Sequence, residues 1–272
     1  MILLEVRKGS VQPELDSKLI HDTQLYRYSR QIIIPEINEK GQELLLNSKV
    51  AIIGAGGLGC PVALYLGGAG VGNITIVDDD IIDVSNLNRQ IAFKTYSVGG
   101  LKSENLKFSI QDLNPEVIVN AIHEKLTAEN LDKIFQNQDL IIDCTDNYET
   151  RLLIAKGCCK YKIPMSFGSA VRQEGQTAFF QAKTKSHINN ETTNSYPCYI
   201  CVFPDAPDDG IVSRCSEAGI LGPITGLIAS IQSLNVIRYL TNQDVSRNLI
   251  LWDGLTFFEM KTKKMEKCEV CS

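Results

Sequence analysis

The sequence predicts an α/β fold: a Rossmann-like, mostly parallel sheet flanked by helices and extended by antiparallel strands. Two observations carry that expectation. The apolar run Val50-Ala51-Ile52-Ile53 stops at a glycine-rich turn, Gly54-Ala-Gly-Gly-Leu-Gly59, which opens a helical stretch. Strand-like and helix-like segments then alternate at the spacing of crossover units, which imposes parallel strands with helices on both faces. With 272 residues, 44% of them hydrophobic, the chain can bury a full core around such a sheet.

Residues 1–25 are polar and irregular and read as a mobile arm. The stretch from Tyr26 to Gln31 is a helix or extended segment leading into a single unit that runs to residue 272. The run at 50–53 is apolar throughout, as a strand buried on both faces must be. Helix is expected from Cys60 to Gly70, strand from Asn73 to Val77, helix from Lys102 to Asp112 and strand from Val117 to Ala121. A helix from Ala128 to Phe135 and a strand from Leu140 to Asp143 follow. Beyond Pro164 come strand-like runs, Met165 to Val171 and Gln176 to Gln181, then a polar loop, Lys183 to Ser195. A long apolar helix, Gly219 to Leu240, precedes closing strands at Leu249 to Trp252 and Phe257 to Met260. The second half thus extends the sheet.

A net charge of −5 offers no basic footprint for nucleic acid or anionic lipid, so a small molecule or a protein is the expected substrate. The N-terminal stretch Met1 to Lys8 leads into polar residues without a long apolar run, so neither signal peptide nor membrane span is expected. The chain reads as cytoplasmic, and a reducing compartment favours metal over disulfide for its nine cysteines. Cys198-Tyr-Ile-Cys201 and Cys268-Glu-Val-Cys271, separated by 66 residues, form two knuckles. Each can give two thiolates to one tetrahedral Zn²⁺, a four-cysteine zinc clip with no open position for water. Redox dithiols or disulfides are the alternative. Cys60, Cys144, Cys158 and Cys159 read as packing residues.

The spacing Gly54-x-Gly56-x-x-Gly59 lets backbone N–H groups approach a phosphate at a helix N-terminus. Asp78, ending the next strand, stands where an acid bonds a ribose hydroxyl. NAD, FAD and ATP all fit that pattern. Arg30, Arg89 and Lys102 add the cations that a triphosphate needs more than a pyrophosphate does. Asp146, just past the strand 140–143, sits at the sheet edge where open α/β folds bind ligands and suits Mg²⁺. For each of these groups a solvated surface charge is the plain alternative.

In order along the chain, Arg27-Tyr28-Ser29-Arg30-Gln31, the glycine loop, Asp78-Asp79-Asp80, Ser85-Asn86-Leu87-Asn88-Arg89-Gln90, Lys102, Asp143-Cys-Thr-Asp-Asn147 and both CxxC pairs resemble the ThiF/MoeB family. These are the ubiquitin-activating-type adenylyltransferases of sulfur-carrier proteins. The resemblance runs from about Tyr26 to Cys271. It implies that ATP and the C-terminal glycine of a small ubiquitin-like carrier, ThiS- or MoaD-like, give an acyl-adenylate and pyrophosphate. Thiamine synthesis, molybdopterin synthesis and tRNA thiolation are the pathways it brings in. It divides the chain into a nucleotide half, about 26–163, and a carrier and zinc half, about 164–272.

By the same resemblance Gly54, Gly56, Gly57 and Gly59 cradle the nucleotide, with Gly57 under the phosphates. Asp78 holds the ribose, Arg89 and Lys102 meet the phosphates, and Asp146 holds magnesium. Asp80, Ser85, Asn86, Leu87, Asn88 and Asn147 complete the site. Arg30 reaches the γ-phosphate in a neighbouring subunit, which implies a homodimer. Cys215 stands at the family's reactive cysteine, before the long helix and beside Arg214. A helix N-terminus there would lower a thiol pKa, and a packing cysteine is the plain alternative. Some eukaryotic members add a sulfur-donating rhodanese domain. This chain ends one residue after Cys271, so the expectation is either a separate sulfur donor or a reaction that stops at adenylation. An NAD-binding oxidoreductase and a non-catalytic carrier scaffold are the competing functions. No residue is placed for hydride transfer, and the Arg/Lys/Asp set argues against a scaffold.

Overall fold

The computed structural model describes residues 20–182, 196–205 and 218–272. Its centre is one eight-stranded sheet. The strands are β1 Lys49–Ile53, β2 Asn73–Val77, β3 Ile118–Ile122, β4 Leu140–Asp143, β5 Met165–Val171, β6 Glu174–Phe180, β7 Leu249–Trp252 and β8 Phe257–Met260. They lie in the order β3-β2-β1-β4-β5-β6-β7-β8. The first five are parallel, and β6, β7 and β8 continue the sheet antiparallel.

The helices are α1 Asp22–Arg27, α2 Ser29–Ile32, α3 Asn38–Asn47, α4 Gly59–Ala69, α5 Lys102–Leu113, α6 Leu131–Phe135, α7 Tyr148–Tyr161, α8 Tyr199–Val202 and α9 Gly222–Leu240. They cover both faces of the sheet, so successive residues of β1 serve opposite cores. Val50 and Ile52 pack with α4, α5 and α9, and Ala51 and Ile53 pack with α6 and α7. With water excluded from both faces, the strand has no use for polar alternation.

Ile53 is in register with Val77 on one side and with Asp143 on the other. The chain therefore leaves β1, β2 and β4 at one level, where the strand order changes direction. Gly54 takes a left-handed φ of 96°, a region open to glycine. A Cβ at Gly59 would run into the Gly54 carbonyl oxygen, so only glycine lets α4 start so close beneath the loop.

Several boundaries differ from expectation for local reasons. Residues 22–25, expected in the arm, belong to α1, where the Gln24 side chain accepts from the His21 N–H at 3.2 Å. Residues 1–19 lie outside the described residues, as does the expected loop 183–195. Helix α6 begins at Leu131, not Ala128, because the Asn130 side chain takes the Thr127 N–H at 2.8 Å and holds the segment in a turn. Helix α9 begins at Gly222, not Gly219. Leu221 is extended, and Pro223 occupies the first turn, where its missing N–H costs nothing. Strand β3 spans 118–122 instead of 117–121. Strand β6 starts two residues early, since a tight turn pairs Val171 with Glu174. Helices α3 and α7 have no counterpart in the sequence reading.

Alanine at Gly59 is expected to lower unfolding stability by about 1–3 kcal/mol, the usual cost of forcing an extra methyl into a packed site. A urea midpoint equal to that of the unaltered protein would contradict the close approach described above.

Candidate active site

A cleft of about 740 Å³ opens at the C-terminal ends of β1 and β4, where the strand order changes direction. In open α/β sheets that is where ligands bind. Gly54, Gly56, Gly57, Asp78, Asp80, Asn86, Arg89, Lys102, Asp146 and Asn147 all line it. These groups come from separate stretches of the chain, and only the fold brings them together.

Asp78 ties the glycine loop to β2. One carboxylate oxygen accepts from the Ala55 N–H at 2.7 Å and the other from the Asp80 N–H at 2.9 Å. Burial pushes the Asp78 carboxyl up, and the Ala55 N–H and the Lys102 charge oppose it. Lys102 begins α5, where a positive charge is opposed by the helix dipole. The compensation is local: its N–H donates to the Asp80 carbonyl at 3.0 Å, and its ammonium meets the Asp80 carboxylate at 2.7 Å. The Lys102 side chain is only 8% exposed, so this cation is held at the cleft wall and not free in solvent.

Ser85 and Asn88 do not line the cleft; they steer Arg89. Its Nη1 donates to the Ser85 carbonyl at 3.0 Å and to Asn88 Oδ1 at 2.9 Å. Leu87 packs against the core instead. Gly59 lies beneath the loop. The Asn147 side chain faces the cleft and also caps α7, accepting from the Thr150 N–H at 2.9 Å. Arg30 is exposed and is not part of the cleft. Its neighbours explain this: Tyr28 is buried against Asn114, at 2.9 Å, and Gln31 Nε2 donates to the Ala69 carbonyl at 2.8 Å, which leaves Arg30 pointing away. Cys215 lies outside the described residues.

The cleft contains groups the sequence analysis does not name. Arg151, Glu124, Lys125, Tyr199 and Asp205 line it as well. Cys144, read as a packing residue, reaches the cleft wall, where burial raises its thiol well above the ordinary value.

The cysteine knuckles meet as their spacing predicts. The Sγ atoms of Cys198, Cys201, Cys268 and Cys271 lie within 4.8 Å of one another. Cys198 stands 3.8 Å from Cys201 and 3.6 Å from Cys268, and Cys201 stands 3.4 Å from Cys271. Four thiolates at about 2.3 Å from a tetrahedral zinc would sit about 3.8 Å apart, so the cluster fits that ion. Burial works to raise the Cys268 thiol, yet the N–H groups of Cys271 and Val270 and the neighbouring thiols bring it to about 7.

Comparison with known proteins agrees with this geometry. A family model described as the ThiF family matches residues 28–272. The "Adenylyltransferase and sulfurtransferase MOCS3" of Dictyostelium discoideum is 41% identical over 91% of this chain and 57% of its own length. The protein of the same name from Aedes aegypti is 38% identical over 99% of this chain and 60% of its own. The chain thus spans less than two thirds of these relatives. Among solved structures, Escherichia coli MccB with ATP superposes with a TM-score of 0.75 at 22% identity, over 90% of this chain and 74% of that one. PaaA superposes with a TM-score of 0.74 at 22% identity, over 96% and 79%. The structural likenesses establish the fold, and the family match spans nearly the whole sequence: the chain belongs to the ThiF family.

Proposed function

We propose that this chain is an ATP-dependent adenylyltransferase that activates the C-terminal glycine of a small ubiquitin-like sulfur carrier, ThiS- or MoaD-like. The observation that carries the reading is the convergence of the glycine loop, Asp78, Arg89, Lys102 and Asp146 in one cleft. The names of the curated relatives support it. In this reaction a carrier carboxylate oxygen attacks the α-phosphorus of ATP, and the bond to the bridging oxygen breaks to release pyrophosphate. Such a step needs alignment and charge neutralisation more than a strong base.

The glycine-loop N–H groups at the start of α4 receive phosphate oxygens, Asp78 orients the ribose, and Arg89 and Lys102 neutralise phosphate charge. Asp146 holds Mg²⁺, which supplies further neutralisation when bound. The cleft's own charge supports the need for it. Asp78, Asp79, Asp80, Glu124, Asp146 and Asp205 face Arg89, Lys102, Lys125 and Arg151, an acidic surplus before a triphosphate enters. A divalent cation and Arg30 from a second copy of the chain would correct that imbalance, and Arg30 is exposed as this role requires. The active form is then a cytoplasmic homodimer, with residues from about 164 onward receiving the carrier. Zn²⁺ in the four-thiolate cluster is structural. Sulfur transfer needs another group, since the Cys144 thiol stays protonated; Cys215 or a separate donor protein supplies it.

ATP–pyrophosphate exchange, measured with ThiS-like and MoaD-like carriers in turn, tests the function, and no exchange with either would refute it. Asp146→Ala is expected to reduce exchange by at least about 10²-fold without unfolding the chain, because it removes the metal's ligand. Arg30→Ala and Asp146→Ala subunits, each inactive alone, should regain activity when mixed, since one site of a mixed dimer keeps both residues. A verified heterodimer no more active than its parents would rule out sharing. Purified protein should hold about one zinc per chain. Serine at both Cys268 and Cys271 should release the zinc and lower the thermal midpoint by roughly 10 °C, because the free energy of metal binding is here free energy of folding. Metal-free protein of unchanged midpoint would exclude a structural ion.

A further inference from the structure

Arg151 has no part in the reaction scheme above, yet its side chain makes several polar contacts and a ring contact beside the cleft. It lies in the first turns of α7, with its side chain 12% exposed. Its Nη2 donates to the Thr145 carbonyl at 2.6 Å and to Ser169 Oγ at 3.2 Å. Its Nε faces Asp143 Oδ2 at 3.6 Å, and the guanidinium lies over the Phe167 ring at 5.2 Å. Asp143 is fully buried at the end of β4. Its Oδ1 accepts from the Thr145 N–H at 2.9 Å and from the Thr145 hydroxyl at 2.6 Å. From behind, Gln232 of α9 donates to the Asp143 carbonyl at 3.1 Å.

Thr145 is therefore held at its N–H, its hydroxyl and its carbonyl. The carbonyl belongs to the peptide unit that joins it to Asp146. Because that unit is planar, fixing its oxygen fixes the direction in which the chain enters Asp146. A planar guanidinium can hold the Thr145 carbonyl and Ser169 at once while keeping its charge on Asp143. An ammonium cannot span all three.

We propose that Arg151 is a positioning residue: by clamping the Thr145–Asp146 peptide against Asp143 and Ser169, it sets where the Asp146 carboxylate stands in the cleft. This rests on the adenylation reading for its functional consequence and on geometry alone for its structural one. Carboxylates that bind metals depend on the groups that orient them, and losing such a group costs about 10–100-fold in metal affinity.

The test uses the full chain and two variants. Arg151→Lys keeps the charge and loses the fork. The double variant Asp143→Asn/Arg151→Gln removes both charges, so it leaves no buried carboxylate without its cation and keeps the test open if the single variant fails to fold. Amide hydrogen exchange of the peptide covering residues 144–147 reads the clamp directly. It should run about tenfold faster in the variants, with the peptide for 49–53 unchanged. The Mg²⁺ concentration that half-saturates ATP–pyrophosphate exchange should rise about tenfold, with a smaller fall in the limiting rate. A folded variant whose 144–147 peptide exchanges at the wild-type rate overturns the proposal. So does an unchanged Mg²⁺ requirement in an active variant. Faster amide exchange in the variants, with no pyrophosphate exchange even in the wild type, would remove the adenylation reading and leave Arg151 as the clamp.

Discussion

Parallel pairing of Ile53 with Val77 on one side and Asp143 on the other ends three strands on one line, and the cleft is a consequence of that alignment. Gly54 follows the first strand, Asp78 the second and Cys144 the third. Each turn then leads to a group that faces the same space. Had β1 paired one residue out of step with either neighbour, its buried faces would have exchanged places and the two cores would have lost their filling. Register and site geometry are thus set by the same apolar residues. No separate interaction is needed to gather the charged groups, only the packing of Val50, Ala51, Ile52 and Ile53 between two layers of helices.

Given that frame, the polar groups of the cleft are mostly held by one another. Asp78 holds the loop, Lys102 is matched to Asp80, and Arg89 is braced by Ser85 and Asn88. Burying an ion costs several kcal/mol unless a partner and further hydrogen bonds offset it. Asp143 shows the limit of such matching. Burial pushes its carboxyl up, with the Arg151 charge and the Thr145 hydroxyl opposing, and its contact with Arg151 Nε is too long for a good hydrogen bond. An arrangement so constrained has few alternatives to relax into. That rigidity suits a site whose chemistry is alignment.

The strands and the glycine loop were legible because continuous apolar runs ending in glycine or aspartate have few other meanings. The cysteine clip was legible because two equal knuckles point to one ion. Helix α7 was not. Its apolar residues are interrupted by Lys156, Gly157 and Lys160, and Gly157 is there because a Cβ would meet the Phe135 ring of α6, a contact absent from any local pattern. With α7 unseen, Arg151 had no position and could not be recognised. Ser85 and Asn88 were recognised as belonging to the site, but their bracing of Arg89 was not, because a motif does not distinguish a residue that touches a ligand from one that orients its neighbour. Arg30 raises a different difficulty. Tyr28 and Gln31 explain why it points outward, and the use proposed for it would require a second molecule.

The cysteine cluster and the cleft are mechanically continuous, although they do different things. Helix α8 is a single turn, Tyr199–Val202, too short to persist on its own in water. Cys198 immediately precedes it and Cys201 lies within it. Between them Tyr199 projects into the aromatic group under the cleft, meeting Phe167 edge-on at 5.2 Å and Phe180 at 5.9 Å. Burial raises the Tyr199 hydroxyl, and the Arg151 charge opposes that rise. Closing the thiols on one ion would join the tail after β8 to this turn and fix the Tyr199 ring in place. The ring in turn packs on Phe167, whose face carries the Arg151 guanidinium. If Arg151 positions Asp146 as proposed, an ion held by the four thiols would bear on where Asp146 stands, through aromatic packing and one guanidinium.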